Sequence, residues 1–145
     1  MHMFSEESLQ SMKNILRPGG IVTINFNGPA SSLKVSSLYK TIKTVFNNVF
    51  IVVDEEPEYI LSPKFFFATD VVVDKTEIKK NMSRFIDSDL IRETLSNVID
   101  NYTIDYLEGG VLVTDDYNPL DNFQIDSTIA WREKNWDVFG SLLLR

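Results

Sequence analysis

Cysteine is absent from the 145 residues, and histidine occurs once, as His2 at the extreme terminus, where it is given no function. Without thiols there is neither a disulfide framework nor a thiolate metal site, and a cytoplasmic setting is the simpler expectation. Histidine-dependent triads and imidazole metal sites are excluded on the same ground. A carboxylate-only metal site is not signalled, because Asp54-Glu55-Glu56, Asp87-Ser88-Asp89 and Asp115-Asp116 lack the regular ligand spacing of a calcium loop. Positive charge is scarce: 14 Lys and Arg against 21 Asp and Glu leave a formal net charge of −7. Such a field opposes the phosphate contacts and counterion release that drive nucleic-acid binding, and attracts cations such as amines. No apolar run reaches the roughly 20 residues of a membrane-crossing helix, and no charged-then-apolar leader opens the chain, so no membrane partner is expected.

What is present is the composition of a folded protein, with 43% hydrophobic and 12% aromatic residues against 24% charged. A chain of this length can bury a sizeable core, and residues 1–145 are read as a single domain. Ser5, followed by Glu6 and Glu7, reads as the cap of a helix over 5–17, with Lys13 and Arg17 at its negative end and Phe4, Leu9, Met12, Ile15 and Leu16 as its apolar stripe. Pro18-Gly19-Gly20 stops it. The run Ile21 to Phe26 is largely β-branched and apolar on both faces, which predicts a central strand of a parallel sheet.

Asn27-Gly28-Pro29 is a turn, and Ser31 or Ser32 caps a helix whose stripe is Val35, Leu38, Ile42, Val45 and Phe46. The run 49–53 is a second short strand, followed by an acidic loop from Asp54 to Glu58. Lys64 to Val73 is a third strand, and its short, helix-free connection predicts an antiparallel return. Asp87 or Ser88 caps a helix with a buried stripe of Ile91, Leu95, Val98 and Ile99. The pieces "TIDYL" and "VLVT", on either side of the turn at Glu108-Gly109-Gly110, are short strands or an extended loop packed on the core. From Asn122 onward Ile125, Ile129, Trp136, Phe139 and Leu143 share one helical face, and Trp131 lies off it.

The segments "SEESLQSMKNILRPGGIVTINF" and "SLYKTIKTVFNNVFIV", the strand ending in Val71-Val72-Val73, and above all "VLVTDDYNPLD" resemble the spermine/spermidine synthase-like group of class I methyltransferase-fold proteins. The resemblance implies an α/β, partial Rossmann-like fold. Its sheet is mixed, with strand order 3-2-1-4-5-7-6 and the seventh strand antiparallel, helices on its faces and a C-terminal helix. Ile21 to Phe26 resembles the fifth strand of that fold, the run 49–53 the sixth, and Lys64 to Val73 the antiparallel seventh. It implies a transferase that moves an aminopropyl group from decarboxylated S-adenosylmethionine, or a methyl group from S-adenosylmethionine, to an amine. Counterparts of the first four strands, which carry the glycine-rich nucleotide turn and the catalytic loop, are not found in the sequence. The chain therefore reads as a C-terminal portion, inactive alone. Asn25, Asn27 and Gly28, with Asp115, Asp116 and Tyr117, are the substrate-binding candidates, although each is as readily a turn residue. Two other readings stand beside it. One is a non-catalytic module that forms a homo-oligomer, or completes a partner's sheet, through the open edge of its fifth-like strand. The other is a regulatory subunit of a catalytic homologue.

Overall fold

Ser5 begins the first helix as expected. In the computed structural model, which describes residues 3–53, 62–120, 122 and 129, its hydroxyl accepts the Ser8 N–H at 3.2 Å and opens α1 (Glu6–Ile15). The helices α2 (Leu33–Val45), α3 (Lys75–Phe85) and α4 (Asp89–Asn101) are capped in the same way by Ser32, Asp74 and Ser88. Each cap satisfies a backbone donor that the first helical turn leaves unpaired. The strands are β1 (Val22–Asn27), β2 (Asn48–Val52), β3 (Pro63–Thr69) and the two-residue β4 (Thr103–Ile104).

The sheet order is β1-β3-β2-β4, and every pairing is antiparallel. This corrects two expectations. β1 is an edge strand among the described residues rather than a central one, and its outward residues Thr23, Asn25 and Asn27 are exposed. Nor is the sheet mixed among the described residues: β1 and β2 run in the same direction, as a strand-helix-strand unit requires, but β3 lies between them, so no parallel pair forms there. Hydrophobic runs specify that a strand is buried, not which strand becomes its neighbour.

One sheet face carries Ile24, Phe26, Val49, Ile51, Phe66 and Ala68. It packs against Leu9 of α1 and Val35, Leu38, Ile42 and Val45 of α2, and this is the core. Phe26 meets both Phe4 and Phe66 edge-to-face, with ring centroids 5.6 and 6.4 Å apart. The opposite face carries Phe50 stacked on Phe67 at 5.0 Å, and α3 and α4 lie over part of it.

β3 ends at Thr69, short of the expected Val73. The Thr69 hydroxyl donates to Gly20 O and accepts from Val71 N–H, which leads the backbone out of the ladder, and Val72 is 82% exposed. The α4 stripe is likewise not buried, with Ile91 51% exposed, because α4 packs on α3 and β4 and leaves one flank open. Helix α3 was not anticipated, yet Asp74 as cap and Ile78, Met82 and Phe85 at helical spacing announce it. The acidic loop at 54–58, the C-terminal helix and both tryptophans lie outside the described residues, Asn122 and Ile129 apart.

Lys13 fastens the end of α1 to two other elements. Its ammonium donates to Val45 O at 2.6 Å and meets both oxygens of Asp70, at 2.9 and 2.8 Å. That hydrogen bond first, and then the Asn47 N–H, hold the Asp70 carboxyl below the usual carboxylate range. The stabilisation is therefore present at neutral pH and is lost as the pH falls through the folded-state value of Asp70. Asp70→Asn should be less stable than the parent at pH 7, with the gap closing in acid. Denaturant melts across pH check this, and a gap independent of pH would refute it.

Candidate functional site

The six sequence candidates fall into two groups. Asn25 and Asn27 are exposed on β1, opposite Phe65 and Pro63 of β3, and Asn27 ends the strand. Gly28 follows with φ +150°, a conformation that L side chains rarely adopt, and donates its N–H to Ser62 O at 3.2 Å. Asp115, Asp116 and Tyr117 occupy a tight turn in which Thr114 and Tyr117 exchange backbone hydrogen bonds of 2.9 and 3.2 Å. All three side chains of this turn are exposed.

Both groups are linked to the start of α1. Asp115 N–H donates to the Glu7 carboxylate at 3.0 Å, and Glu6 N–H to Val113 O at 2.8 Å, which docks the turn on the start of α1. Phe4, one residue before the α1 cap, touches Phe26, the neighbour of Asn27. Among the described residues no hydrogen bond joins one group directly to the other.

The segment from Asp105 to Thr114 reaches that turn as an extended strap along α2, and the helix side chains take the place of a partner strand. Tyr39 OH donates to Asp105 O at 2.8 Å, and the Lys40 ammonium to Gly110 O at 3.2 Å. Val111 N–H and Val113 N–H donate to the hydroxyls of Ser37 and Thr41, each at 3.0 Å. Those hydroxyls in turn donate to Leu33 O and Ser37 O. Extended backbone whose donors are taken by side chains need not pair with a strand. "VLVT" is thus an extended segment on the core with Val113 fully buried, and of "TIDYL" only Thr103–Ile104 joins the sheet. Burial first, then the Asp105 carboxylate and the Tyr106 phenol, push the Tyr39 hydroxyl above the usual phenol range, so it remains a neutral donor at physiological pH.

Two lysines that the sequence reading passed over stand beside the Asn27–Gly28 turn. Lys64 is fully buried, lies opposite Phe26 and donates to Ser62 O at 3.2 Å and to the Ser62 hydroxyl. Lys34 is 7% exposed and holds its ammonium 4.3 Å from the centre of the Phe26 ring. The alternation of β3 carried the signal for Lys64, since it shares the phase of Phe66 and Ala68 and so points to the core. No family model matches this chain, and no curated protein does. Among the described residues no group of three or more metal-ligating side chains gathers, and no helix is long and apolar enough to cross a membrane.

Proposed function

We propose that this chain is the C-terminal part of a spermidine synthase-like domain of the class I methyltransferase fold. That domain transfers an aminopropyl or a methyl group from an S-adenosylmethionine derivative to an amine. The observation that carries the reading is the position of β3, inserted antiparallel between two strands that run in one direction and are joined through α2. This is the arrangement of the fifth, seventh and sixth strands in that family. By the same correspondence the outer edge of β1 is where the fourth strand pairs.

The adenosyl cofactor is not accommodated by the described residues. A nucleotide turn offers free backbone amides at a helix start and an acidic group for the ribose. At the β1–α2 turn the Gly28 N–H is already given to Ser62 O, the Ser32 hydroxyl takes the Val35 N–H in the first turn of α2, and the neighbouring charges are lysines. No cofactor step is derived for these residues. Their part in the reaction is to line the substrate side, with Asp115 and Asp116 as carboxylates for an ammonium group and Asn27–Gly28 shaping the strand end. Titration calorimetry of this chain alone with either adenosyl compound should give no saturable heat. Combined with a polypeptide carrying the first four strands of a spermidine synthase-like domain, it should bind one cofactor per pair. Failure to assemble with that polypeptide would overturn the reading, and saturable heat from the chain alone would overturn the assignment of the cofactor to the other half.

One observation favours the second reading, a self-associating module. Among the described residues the outer edge of β1 has no neighbour, and "VTINFN" contains neither the Lys nor the Pro that commonly blunts such edges. Light scattering decides it: a stable dimer that releases no heat with adenosyl compounds supports it, and a monomer removes it.

A further inference from the structure

The face of the sheet turned away from the core holds a cavity of about 460 Å³ between β2 and the α3–α4 pair, a size typical of small-molecule sites. Phe50 and Val52 of β2, Ile78 of α3 and Ile99 of α4 give it apolar walls. Lys43, near the end of α2, and Lys75, at the start of α3, also line it, and both are partly open to solvent. The Lys43 ammonium donates to Asn47 O, while the Asn48 side chain donates to Val71 O at 3.0 Å, four residues before Lys75. Among the described residues neither lysine forms an ion pair, and the lining contains one carboxylate, Asp105. In a chain of net charge −7, an apolar cavity with two unneutralised ammonium groups against one carboxylate is a local reversal of sign.

We infer that this cavity is a binding site for a small aromatic carboxylate or related organic anion, its ring against Phe50 and Val52 and its charge between Lys43 and Lys75. An amine is disfavoured there, since it would bring a third positive charge to the two lysines, and a wholly apolar ligand would draw nothing from either ammonium group. The site is separate from the Asn27 and Asp115 groups: Asn25 and Asn27 share its sheet face but lie on β1, with β3 between them and β2, and the Asp115 turn docks on the start of α1.

The full chain should bind the aromatic sulfonate 8-anilinonaphthalene-1-sulfonate at one saturable site with a rise in fluorescence. 2-Naphthoate should displace the dye, whereas the neutral 2-naphthylmethanol at equal concentration should not. The double variant Lys43→Met, Lys75→Met keeps the apolar stems and should weaken dye and naphthoate at least tenfold, and Ile78→Trp, which fills the cavity, should abolish both. Circular dichroism confirms that each variant is folded, and the lysine pair decides alone if Ile78→Trp is not. Equal displacement by the neutral alcohol, or dye binding unchanged in the lysine variant, would overturn the site.

Discussion

Phe66→Ala is expected to destabilise the chain by about 3–5 kcal/mol, as large-to-small changes at buried phenylalanines do. Phe66 is fully buried in the strand with neighbours on both sides, opposite Ile24 of β1 and Ile51 of β2, and it packs edge-to-face on Phe26. Removing the ring opens a void between the sheet and α2 that rigid strands on either side cannot close. The loss is a large part of the roughly 5–15 kcal/mol that holds an ordinary domain together. The adjacent Phe65 points to the other face and is 39% exposed, so Phe65→Ala should cost below about 1.5 kcal/mol, the transfer value of a side chain only partly removed from water. Urea melts of the two variants test the assignment of faces directly: reversed losses would show the register of β3 to be shifted by one residue, and equal losses would show that the two rings are not on faces of different burial.

Gly110→Ala should cost roughly 3–5 kcal/mol, whereas Gly109→Ala should cost only about 1–2 kcal/mol, the ordinary penalty of a left-handed L-residue plus, at 110 alone, that of overpacking. The two glycines share the same backbone conformation, with φ +79° and +77°. What separates them is space. A Cβ on Gly109 meets nothing within 4 Å, but on Gly110 it would stand 2.5 Å from the carbonyl carbon and oxygen of Ser36 in α2. The strap would have to lift from the helix, and Val111 and Val113 would lose the hydroxyls of Ser37 and Thr41. Amide exchange at Val111 and Val113 should therefore accelerate in Gly110→Ala and remain protected in Gly109→Ala. Similar melts and similar exchange in the two variants would mean that the strap does not press on α2.

Much of this was readable along the chain because it depends on local chemistry. Ser5, Ser32 and Ser88 cap their helices as their side chains propose, and the stripes Val35-Leu38-Ile42-Val45 and Leu9 face the core as helical spacing requires. The antiparallel return of β3 followed from the length of its connection. The strap was harder, because "VLVT" has the composition of a strand and lacks only a strand to pair with. Ser37 and Thr41, polar residues on a helix that otherwise reads as core-facing, held the clue. Lys64 was overlooked because a charge is expected at a strand's rim, although its phase with Phe66 placed it inside.

The amino-acid sequence by itself determined the α/β class, the helix starts, the strand segments and the acidic, cysteine-free character of the chain, since propensity, capping and charge act over a few neighbouring residues. Tertiary structure alone decided that Gly110 meets Ser36 and that Lys43 and Lys75 border one cavity. These are meetings between residues 74 and 32 positions apart, and a chain's local preferences are compatible with many such meetings until packing of the whole selects one.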